Sequence, residues 1–208
     1  GQSYPARAFF GMTRLLILRP EPGSGETLAG ARQLGFEAVV TPIFEVRPVE
    51  WAPPTPDAVE AVMLTSANAP RHAGKAMAAF THLPCHAVGE ATAAAARDAG
   101  FSEIHIGPSD GEAMVRAMVE AGAASALHLC GRDHISLSHS RLPIVRRIVY
   151  ASEPVGPLPL QAKAAIEEGT LALLHSPRMA AHFAALVEEA GLDRGTIAIA
   201  AISPAAAE

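Results

Sequence analysis

Short apolar runs that end in small or polar residues recur along the chain, and helical spacing follows most of them. In the clearest case, Ala61–Ala69 (AVMLTSANA), the apolar residues stop at Thr65 and Ser66 and a helical segment begins. Leu171–Ala180 (LALLHSPRMA) repeats this design, with Ser176 before its helix. Such corners lie at the carboxyl edge of a parallel sheet, where α/β proteins bind ligands.

The whole pattern predicts alternating strands and helices, which is typical of doubly wound parallel sheets. Strands are predicted at Leu15–Leu18, Ala38–Val40, Ile43–Trp51, Val62–Leu64, Cys85–Val88, Ile104–Ile106, Leu127–Leu129, Ile144–Tyr150, Leu171–Leu174 and Ile197–Ile202. Helices are predicted at Glu26–Leu34 with Ser24 as N-cap, Asn68–Phe80, Ala91–Ala99, from a Ser109–Glu112 capping box to Gly122, Leu160–Glu168 and Pro177–Ala190.

The apolar runs form a repeat whose order is permuted. Leu16–Arg19 matches Leu127–Arg132, Leu64–Ser66 matches Leu174–Ser176, and Ala87–Gly89 matches Ala201–Ser203. This predicts two similar flavodoxin-like lobes: a discontinuous one, residues 12–44 with 155–208, and a continuous one, residues 53–145. Residues 45–52 and 146–154 are half-exposed strand patterns and are expected to pair as a two-stranded antiparallel connector. A cleft between the lobes is the expected ligand site.

Composition narrows the class of protein. Half of the 208 residues are hydrophobic, and the formal net charge is −5 without a basic run, which excludes nucleic acid as an expected partner. Cys85 and Cys130 lie far apart in apolar runs and are expected to be buried thiols of a cytoplasmic protein. No membrane span is predicted. Residues 1–11 precede Met12 and are interpreted as an upstream leader or a cloning remnant, and the end at Glu208 suggests a shortened last lobe.

Together the motifs resemble one family. LLILRP, LTSANA, AVGEATAAAARDAGF, HLCGRD, LLHSPRMAAHFAAL and AISPAAAE, in this order, are similar to uroporphyrinogen-III synthase over nearly all of Met12–Glu208. The resemblance implies a cyclising lyase that converts hydroxymethylbilane to uroporphyrinogen III, with inversion of the last pyrrole ring and loss of water. It implies no metal or cofactor, a monomer in the cytosol, and transient contact with the preceding enzyme of the pathway.

Three departures from the family pattern bear on activity. The last corner reads Ser203-Pro204-Ala205-Ala206, where the family has Gly-Pro-Thr-Thr or similar, so two hydroxyls are absent. The segment from Gly131 to Tyr150 is shorter than usual, and the chain ends where the family continues with a further helix and strand. A non-catalytic relative that binds a polycarboxylate is therefore the alternative function. A periplasmic-type binding protein is a third alternative, against which the missing signal peptide counts.

The substrate implied by the resemblance carries several carboxylates, although the protein is acidic. Backbone N–H groups at helix N-termini are therefore the expected binding groups. The expected corners and their polar neighbours are Ser66, Gly89, Gly107, Ser176, Ser203, Thr65, Asn68 and Thr92. The alternative is that these residues are ordinary helix caps. Arg19 and Arg132 end matching strands and are expected to pair with substrate carboxylates or, equally well, to form salt bridges.

Tyr150 matches the linker tyrosine of the family, and the resemblance makes it the expected proton donor to the departing hydroxyl. The alternative is a tyrosine that packs its ring at the junction of the lobes. His128, His134 and His139 have a loose metal-like spacing, but no cysteine or carboxylate pattern accompanies them, so no metal site is predicted. His175 stands where the family usually has threonine and is expected to contact the mouth of the cleft.

Overall fold

The structure is a computed structural model that describes residues 14–107 and 110–207. The predicted leader, Met12 and Ser109 lie outside the described residues. The described strands are β1 (Arg14–Ile17), β2 (Glu37–Val40), β3 (Phe44–Pro48), β4 (Ala61–Leu64), β5 (Cys85–Val88), β6 (Ile104–Gly107), β7 (Ala126–Gly131), β8 (Ile144–Pro154), β9 (Leu171–Leu174) and β10 (Ala198–Ala201). The described α-helices are α1 (Gly23–Gln33), α2 (Asn68–His72), α3 (Glu90–Asp98), α4 (Gly111–Glu120), α5 (Leu160–Glu167) and α6 (Pro177–Glu189).

The chain divides into two compact units. One unit, called the split unit here, runs to Glu45 and resumes at Glu153; the other, the continuous unit, comprises Val46–Ser152. The split unit contains a four-stranded parallel sheet in the order β10-β9-β1-β2. The second sheet has the order β3-β8-β7-β4-β5-β6 and is parallel from β8 to β6. The predicted α/β class with parallel sheets is therefore confirmed.

The strand orders of the two sheets agree with the permuted repeat. Replacing β5, β4 and β7 by their sequence counterparts β10, β9 and β1 converts one order into the other, and β8 then takes the place of β2. The second sheet adds β6 at one edge and β3 at the other. The same arrangement is therefore reached by two chain paths, because in each case the chain begins at a different strand of it.

Burial explains why the strand signals are apolar runs and not alternating patterns. In β4, Val62 and Leu64 belong to a core cluster with Phe80, whereas Ala61 and Met63 belong to a second cluster with Met118. Successive side chains of a strand point to opposite faces, so both faces of this sheet are covered. All four β4 side chains are at most 2% exposed. The core of the split unit is formed in the same way around Leu16, Leu18 and helix α6.

The connector strands differ from their predicted bounds. β8 begins at Ile144 and pairs in parallel with β7 from Ala126↔Ile144 onward, so part of the predicted connector is also a strand of the parallel sheet. At its far end the pairing with the β3 region is antiparallel, since the Val49 N–H donates to the Val149 carbonyl and the Val155 N–H donates to the Ile43 carbonyl. With eleven residues, β8 is long enough to pair with β7 on one side and with the β3 region on the other.

Three helix predictions need correction. Ser24 is not an N-cap, because α1 begins at Gly23; Ser24 is buried, and the Glu21 carboxylate accepts the Gly25 N–H at 3.1 Å instead. The predicted helix Asn68–Phe80 stops at His72, since Gly74 adopts a φ of +67° and a 3₁₀ segment follows. Helix α4 is capped by Asp110, whose carboxylate accepts the Ala113 N–H at 2.7 Å.

Two further findings concern the whole of the described chain. Cys85 and Cys130 are buried free thiols, as predicted. Among the described residues, no helix is long and apolar enough to cross a membrane.

Candidate functional site

A pocket of about 590 Å³ lies in the continuous unit, at the carboxyl ends of strands β4 and β7. The edge of the sheet supplies Thr65 and Ser66 after β4 and Gly131 at the end of β7, and Tyr150 extends from β8. The remaining lining residues are Val88, Asp110, Gly111, Glu112, His128, Asp133, His134, Ile135 and Leu137. Three of the residues predicted from the sequence, Thr65, Ser66 and Tyr150, thus lie in one pocket.

Tyr150 and Ser66 are joined by a side-chain hydrogen bond. The Ser66 hydroxyl oxygen also accepts the backbone N–H of Asn68 at 3.2 Å, so the hydroxyl hydrogen is left to donate to Tyr150. Burial raises the pKa of Tyr150, the Ser66 hydrogen bond counteracts this, and Cys130 and Asp133 raise the pKa further. The phenol therefore stays protonated near neutral pH and is available as a hydrogen-bond donor.

The position of the Tyr150 ring depends on a glycine. A Cβ atom added at Gly131 would lie 2.6 Å from Cζ of Tyr150 and 2.9 Å from its hydroxyl oxygen. The register of β7 and β8 shifts at this point, between Cys130 and Gly131, which brings Gly131 opposite Tyr150. Only glycine therefore allows the ring to pass this close to the β7 backbone.

A second polar pair lies beside the first. Nε2 of His128 is 3.1 Å from the Thr65 hydroxyl oxygen, and His128 is only 1% exposed. Burial, the Arg146 guanidinium and His134 together lower the pKa of His128 from 6.5 to about 4. His128 is therefore neutral at physiological pH. The neighbouring His134 contacts His128 edge to face, and its Nδ1–H donates to the Gly131 carbonyl at 2.9 Å.

Other predicted residues of the continuous unit lie outside this pocket. Gly89 precedes α3 with a φ of +77°, which explains the glycine there. Thr92 is buried in α3, with 4% exposure. Gly107 is the last residue of β6 and lies directly before the gap in the described chain. Arg132 has an exposed side chain, and its backbone N–H donates to the Tyr150 carbonyl at 3.0 Å.

The remaining predicted residues belong to the split unit. Ser176 caps α6 and accepts the Met179 N–H at 3.1 Å, as predicted. Ser203 precedes the short 3₁₀ segment Pro204–Ala206. The Ser203 carbonyl accepts the Ala206 N–H, and the Ser203 side chain makes no capping hydrogen bond. Arg19 lies against the first turn of α1. The pKa of His175 is lowered mainly by burial and, to a smaller extent, by the positive charge of Arg19.

Comparison with known proteins identifies the family. The family model described as uroporphyrinogen-III synthase HemD matches residues 26–208. The chain belongs to the uroporphyrinogen-III synthase family. This family is one of cyclising hydro-lyases, so the chain is an enzyme of tetrapyrrole biosynthesis by membership.

Solved uroporphyrinogen III synthases of Thermus thermophilus are among the similar structures. A triple mutant of this enzyme is 17% identical, with 90% of this chain and 83% of that chain covered and a TM-score of 0.48. A wild-type structure is 19% identical, with 93% and 85% covered and a TM-score of 0.43. A third structure is 18% identical, with 93% and 87% covered and a TM-score of 0.36. No curated protein matches the chain.

In this member of the uroporphyrinogen-III synthase family, the sequence draws attention to His128 only as a rejected metal ligand, and it does not mark Gly131 as a site residue. The spacing of His128 to other histidines gives no metal pattern. A signal is nevertheless present, since a histidine inside the apolar run LHLC must find a polar partner if the strand is buried. Met63 pairs with His128 in register, and Thr65 follows Met63 by two residues on the same face. Gly131 carries no signal without its cross-strand neighbour.

Proposed function

We propose that this chain closes hydroxymethylbilane to uroporphyrinogen III, with Tyr150 as the donor to the departing hydroxyl. The observation that carries this proposal is the meeting of Tyr150 and Ser66 in a pocket at the carboxyl edge of a parallel sheet, in a chain whose family performs this reaction. Parallel α/β sheets bind their ligands at this edge.

The first chemical step breaks a carbon–oxygen bond. The electron pair of that bond leaves on oxygen, and the lone pair of the pyrrole nitrogen forms the new double bond of an azafulvene. The oxygen takes up a proton and departs as water, and loss of the pyrrole N–H proton balances the charge. Because the raised pKa of Tyr150 makes its phenol a weak acid, Tyr150 stabilises the departing oxygen by a hydrogen bond and keeps its own proton; the proton that completes water is balanced by the one lost from the pyrrole N–H.

The charges around the pocket indicate which part of the substrate it accommodates. Asp110, Glu112 and Asp133 line it, and their negative charge disfavours a substrate carboxylate there. The pocket therefore suits the uncharged hydroxymethyl group itself, with donors for its oxygen. Carboxylates would instead meet backbone N–H groups, for which the N-terminus of α3 at Gly89, in the same unit as the pocket, is the candidate.

A coupled assay tests the activity. Hydroxymethylbilane is supplied, and uroporphyrinogen isomers I and III are separated by chromatography after oxidation. The proposal predicts isomer III in excess over the spontaneous product, isomer I. Formation of isomer I alone, at the rate seen without protein, would contradict the enzymatic function.

Substitution of Tyr150 tests the donor. Tyr150→Phe removes the hydroxyl and keeps the ring, and kcat is expected to fall on the order of 10-fold to 100-fold. Thermal unfolding of the variant provides the control for folding. A folded variant with the kcat of the parent would exclude Tyr150 as the donor.

One observation favours the alternative, a non-catalytic relative that binds a polycarboxylate. Where the family usually has hydroxyl residues, this chain has Ala205 and Ala206, and the Ser203 side chain makes no capping hydrogen bond. This alternative predicts that uroporphyrinogen raises the melting temperature by mass action while isomer III is not produced.

We also propose the finer organisation expected from the sequence. Two similar lobes, residues 12–44 with 155–208 and residues 53–145, are joined by residues 45–52 and 146–154, and the chain acts as a cytoplasmic monomer that contacts the preceding enzyme transiently. The division into two compact units and the matching strand orders support the two-lobe organisation. The buried free thiols Cys85 and Cys130 fit a reducing compartment.

A further inference from the structure

Two buried polar atoms beside the pocket make no hydrogen bond to any described residue: Nδ1 of His128 and Nε of Arg146. The two residues are direct neighbours in the register of β7 and β8, so their side chains leave the sheet on the same face. Arg146 is held by a second nitrogen, which donates to the Leu137 carbonyl at 2.9 Å. The positive charge of Arg146 therefore acts on the His128 ring from the neighbouring strand, and it is one of the causes that lower the pKa of His128.

The chemistry of arginine indicates which nitrogen of the His128 ring carries the proton. Nε of a guanidinium is always a donor and the group is always positive, so the unprotonated, acceptor form of the unpaired Nδ1 is the one favoured beside it. A neutral imidazole with a bare Nδ1 carries its proton on Nε2. The opposite tautomer would place an N–H group against the positive guanidinium and leave two donors facing each other. The imidazolium is excluded near neutral pH, since burial, Arg146 and His134 all disfavour it.

This tautomer fixes the direction of the next hydrogen bond. Nε2–H of His128 donates to the Thr65 hydroxyl oxygen, 3.1 Å away. The Thr65 hydroxyl hydrogen is then not used by His128 and is free to donate into the pocket that Thr65 lines. With the other tautomer, Thr65 would donate to His128 and offer only an acceptor to a ligand.

The hydrogen bond from His128 to Thr65 is the first of two relays in the pocket, where a relay is a series of groups that each donate to the next. The second relay runs in the same direction. The Asn68 N–H donates to Ser66, and Ser66 bonds to Tyr150, which leaves the Tyr150 hydroxyl hydrogen for a ligand. Both relays begin at a group that can only donate, the Asn68 amide and the Arg146 guanidinium. Two parallel donor chains thus end at hydroxyl groups in one pocket.

We propose that His128 is a positioning residue that makes the Thr65 hydroxyl a hydrogen-bond donor to the oxygen-bearing pyrrole end of the substrate, alongside Tyr150. This role rests on the proposed synthase function. Thr65 donates a hydrogen bond and transfers no proton, so the proton balance of the carbon–oxygen bond cleavage is unchanged. Arg146 acts through His128 by keeping Nδ1 unprotonated.

The tautomer can be measured directly on the full chain. In ¹⁵N-labelled protein near neutral pH, long-range ¹H–¹⁵N correlations of the His128 ring distinguish a protonated Nε2 from a protonated Nδ1. We expect the Nε2–H form, assigned by loss of its signals in His128→Gln. The Nδ1–H form or an imidazolium would overturn the proposal, whatever the activity of the protein.

Matched substitutions test the function of the relay. His128→Gln keeps an amide N–H near the position of Nε2, whereas His128→Leu removes every donor at similar size. Thr65→Ser keeps the hydroxyl, and Thr65→Val removes it. We expect kcat/KM to fall about tenfold in His128→Leu and in Thr65→Val, and at most a few-fold in the two conservative variants. The double variant His128→Leu/Thr65→Val should lose little more than either single variant.

The outcomes separate this inference from the proposed function. A parent protein that yields only isomer I refutes the synthase function, and the tautomer measurement still decides the hydrogen-bond direction. A parent that yields isomer III, together with a folded His128→Leu variant of unchanged kcat/KM, refutes the role of His128 alone. Equal losses in His128→Gln and His128→Leu would also refute it, because the donor would then be irrelevant.

Discussion

The corner after β4 and the corner after β9 have nearly the same sequence pattern but different hydrogen bonds. Ser176 is a helix cap: its hydroxyl accepts the Met179 N–H at the start of the 13-residue helix α6. Ser66 precedes the five-residue helix α2, and its hydroxyl connects the Asn68 amide to Tyr150. One serine therefore stabilises a helix, and the other holds a side chain in a pocket.

The strand beside each corner adds a second difference, at the residue before the serine. β4 pairs with β7 so that Met63 faces His128, and β9 pairs with β1 so that Leu173 faces Ile17. In the continuous unit a buried histidine therefore meets a threonine at the corner, whereas in the split unit the corner residue is His175 and the facing strand residue is apolar. The corner sequence is shared, and the neighbouring strand decides its chemistry.

The largest effect expected from this difference is a dependence of stability on pH. The pKa of His128 is about 4 in the folded chain and near 6.5 in the unfolded chain, so between these values the unfolded chain binds the extra proton. The free energy of unfolding therefore rises with pH in this window, and this contribution is lost as the pH falls from 6.5 to 4. The loss from this one group is about 3 kcal/mol, measurable by urea denaturation at a series of pH values.

Two glutamine variants sharpen this prediction. His128→Gln removes the titrating group, so its stability should fall much less between pH 6.5 and 4 than that of the parent. The pKa of His175 is also lowered, because burial and Arg19 outweigh the opposite effect of a backbone hydrogen bond to Leu173. His175→Gln should therefore flatten the dependence of stability on pH in the same direction, but to a smaller extent. If both variants flatten the profile equally, the contrast between the two corners is wrong.

The next largest effect concerns the close contact between Gly131 and Tyr150. Gly131→Ala places a methyl group where the Tyr150 ring lies, so the ring must turn away from the pocket. We expect kcat to fall on the order of 10-fold to 100-fold, as in Tyr150→Phe, and the free energy of unfolding to fall by about 1–3 kcal/mol. Steady-state kinetics and denaturation measure the two quantities.

Gly30→Ala is the matched control for this substitution. It lies in helix α1 of the split unit, and apart from its chain neighbours and the nearby backbone of that helix, no heavy atom of the described residues lies within 4 Å of the added Cβ. Alanine should raise the free energy of unfolding there by about 0.5–1 kcal/mol through helix propensity alone. The double variant Gly131→Ala/Tyr150→Phe should be no slower than Tyr150→Phe; a further large loss would show that Gly131 acts on something other than the ring.

The fold is largely predictable because burial on both faces leaves a strong local signal. Strands β4, β5 and β9 lie within a residue of their predicted bounds; β4 and β9 are uninterrupted apolar runs, and only His86 interrupts β5. The helix predictions are wrong where another group makes the expected hydrogen bond or where the backbone conformation of one residue ends the helix. Ser24 fits the local pattern of a cap, but the Glu21 carboxylate accepts the amide instead, and Gly74 ends the α2 region through its backbone conformation.

The candidate site is only partly predictable, because its decisive contacts join distant segments. Thr65 and Ser66 follow from the strand–helix corner, and Tyr150 follows from the family resemblance. The pairing of His128 with Thr65 depends on the register of β4 and β7, which no local pattern specifies. The same holds for Gly131, whose importance comes from a register shift against β8.

The smallest effect separates the two serines themselves. Ser176→Ala removes a helix cap and should lower the free energy of unfolding by about 1 kcal/mol, and Ser176→Thr, which keeps a capping oxygen, should restore most of it. Ser66→Ala removes the partner of Tyr150, so we expect a several-fold loss in kcat and a smaller loss of stability than in Ser176→Ala, since α2 has no side-chain cap to lose. Denaturation and kinetics of the three variants test this; a larger stability loss at Ser66 than at Ser176 would mean that both corners serve their helices in the same way.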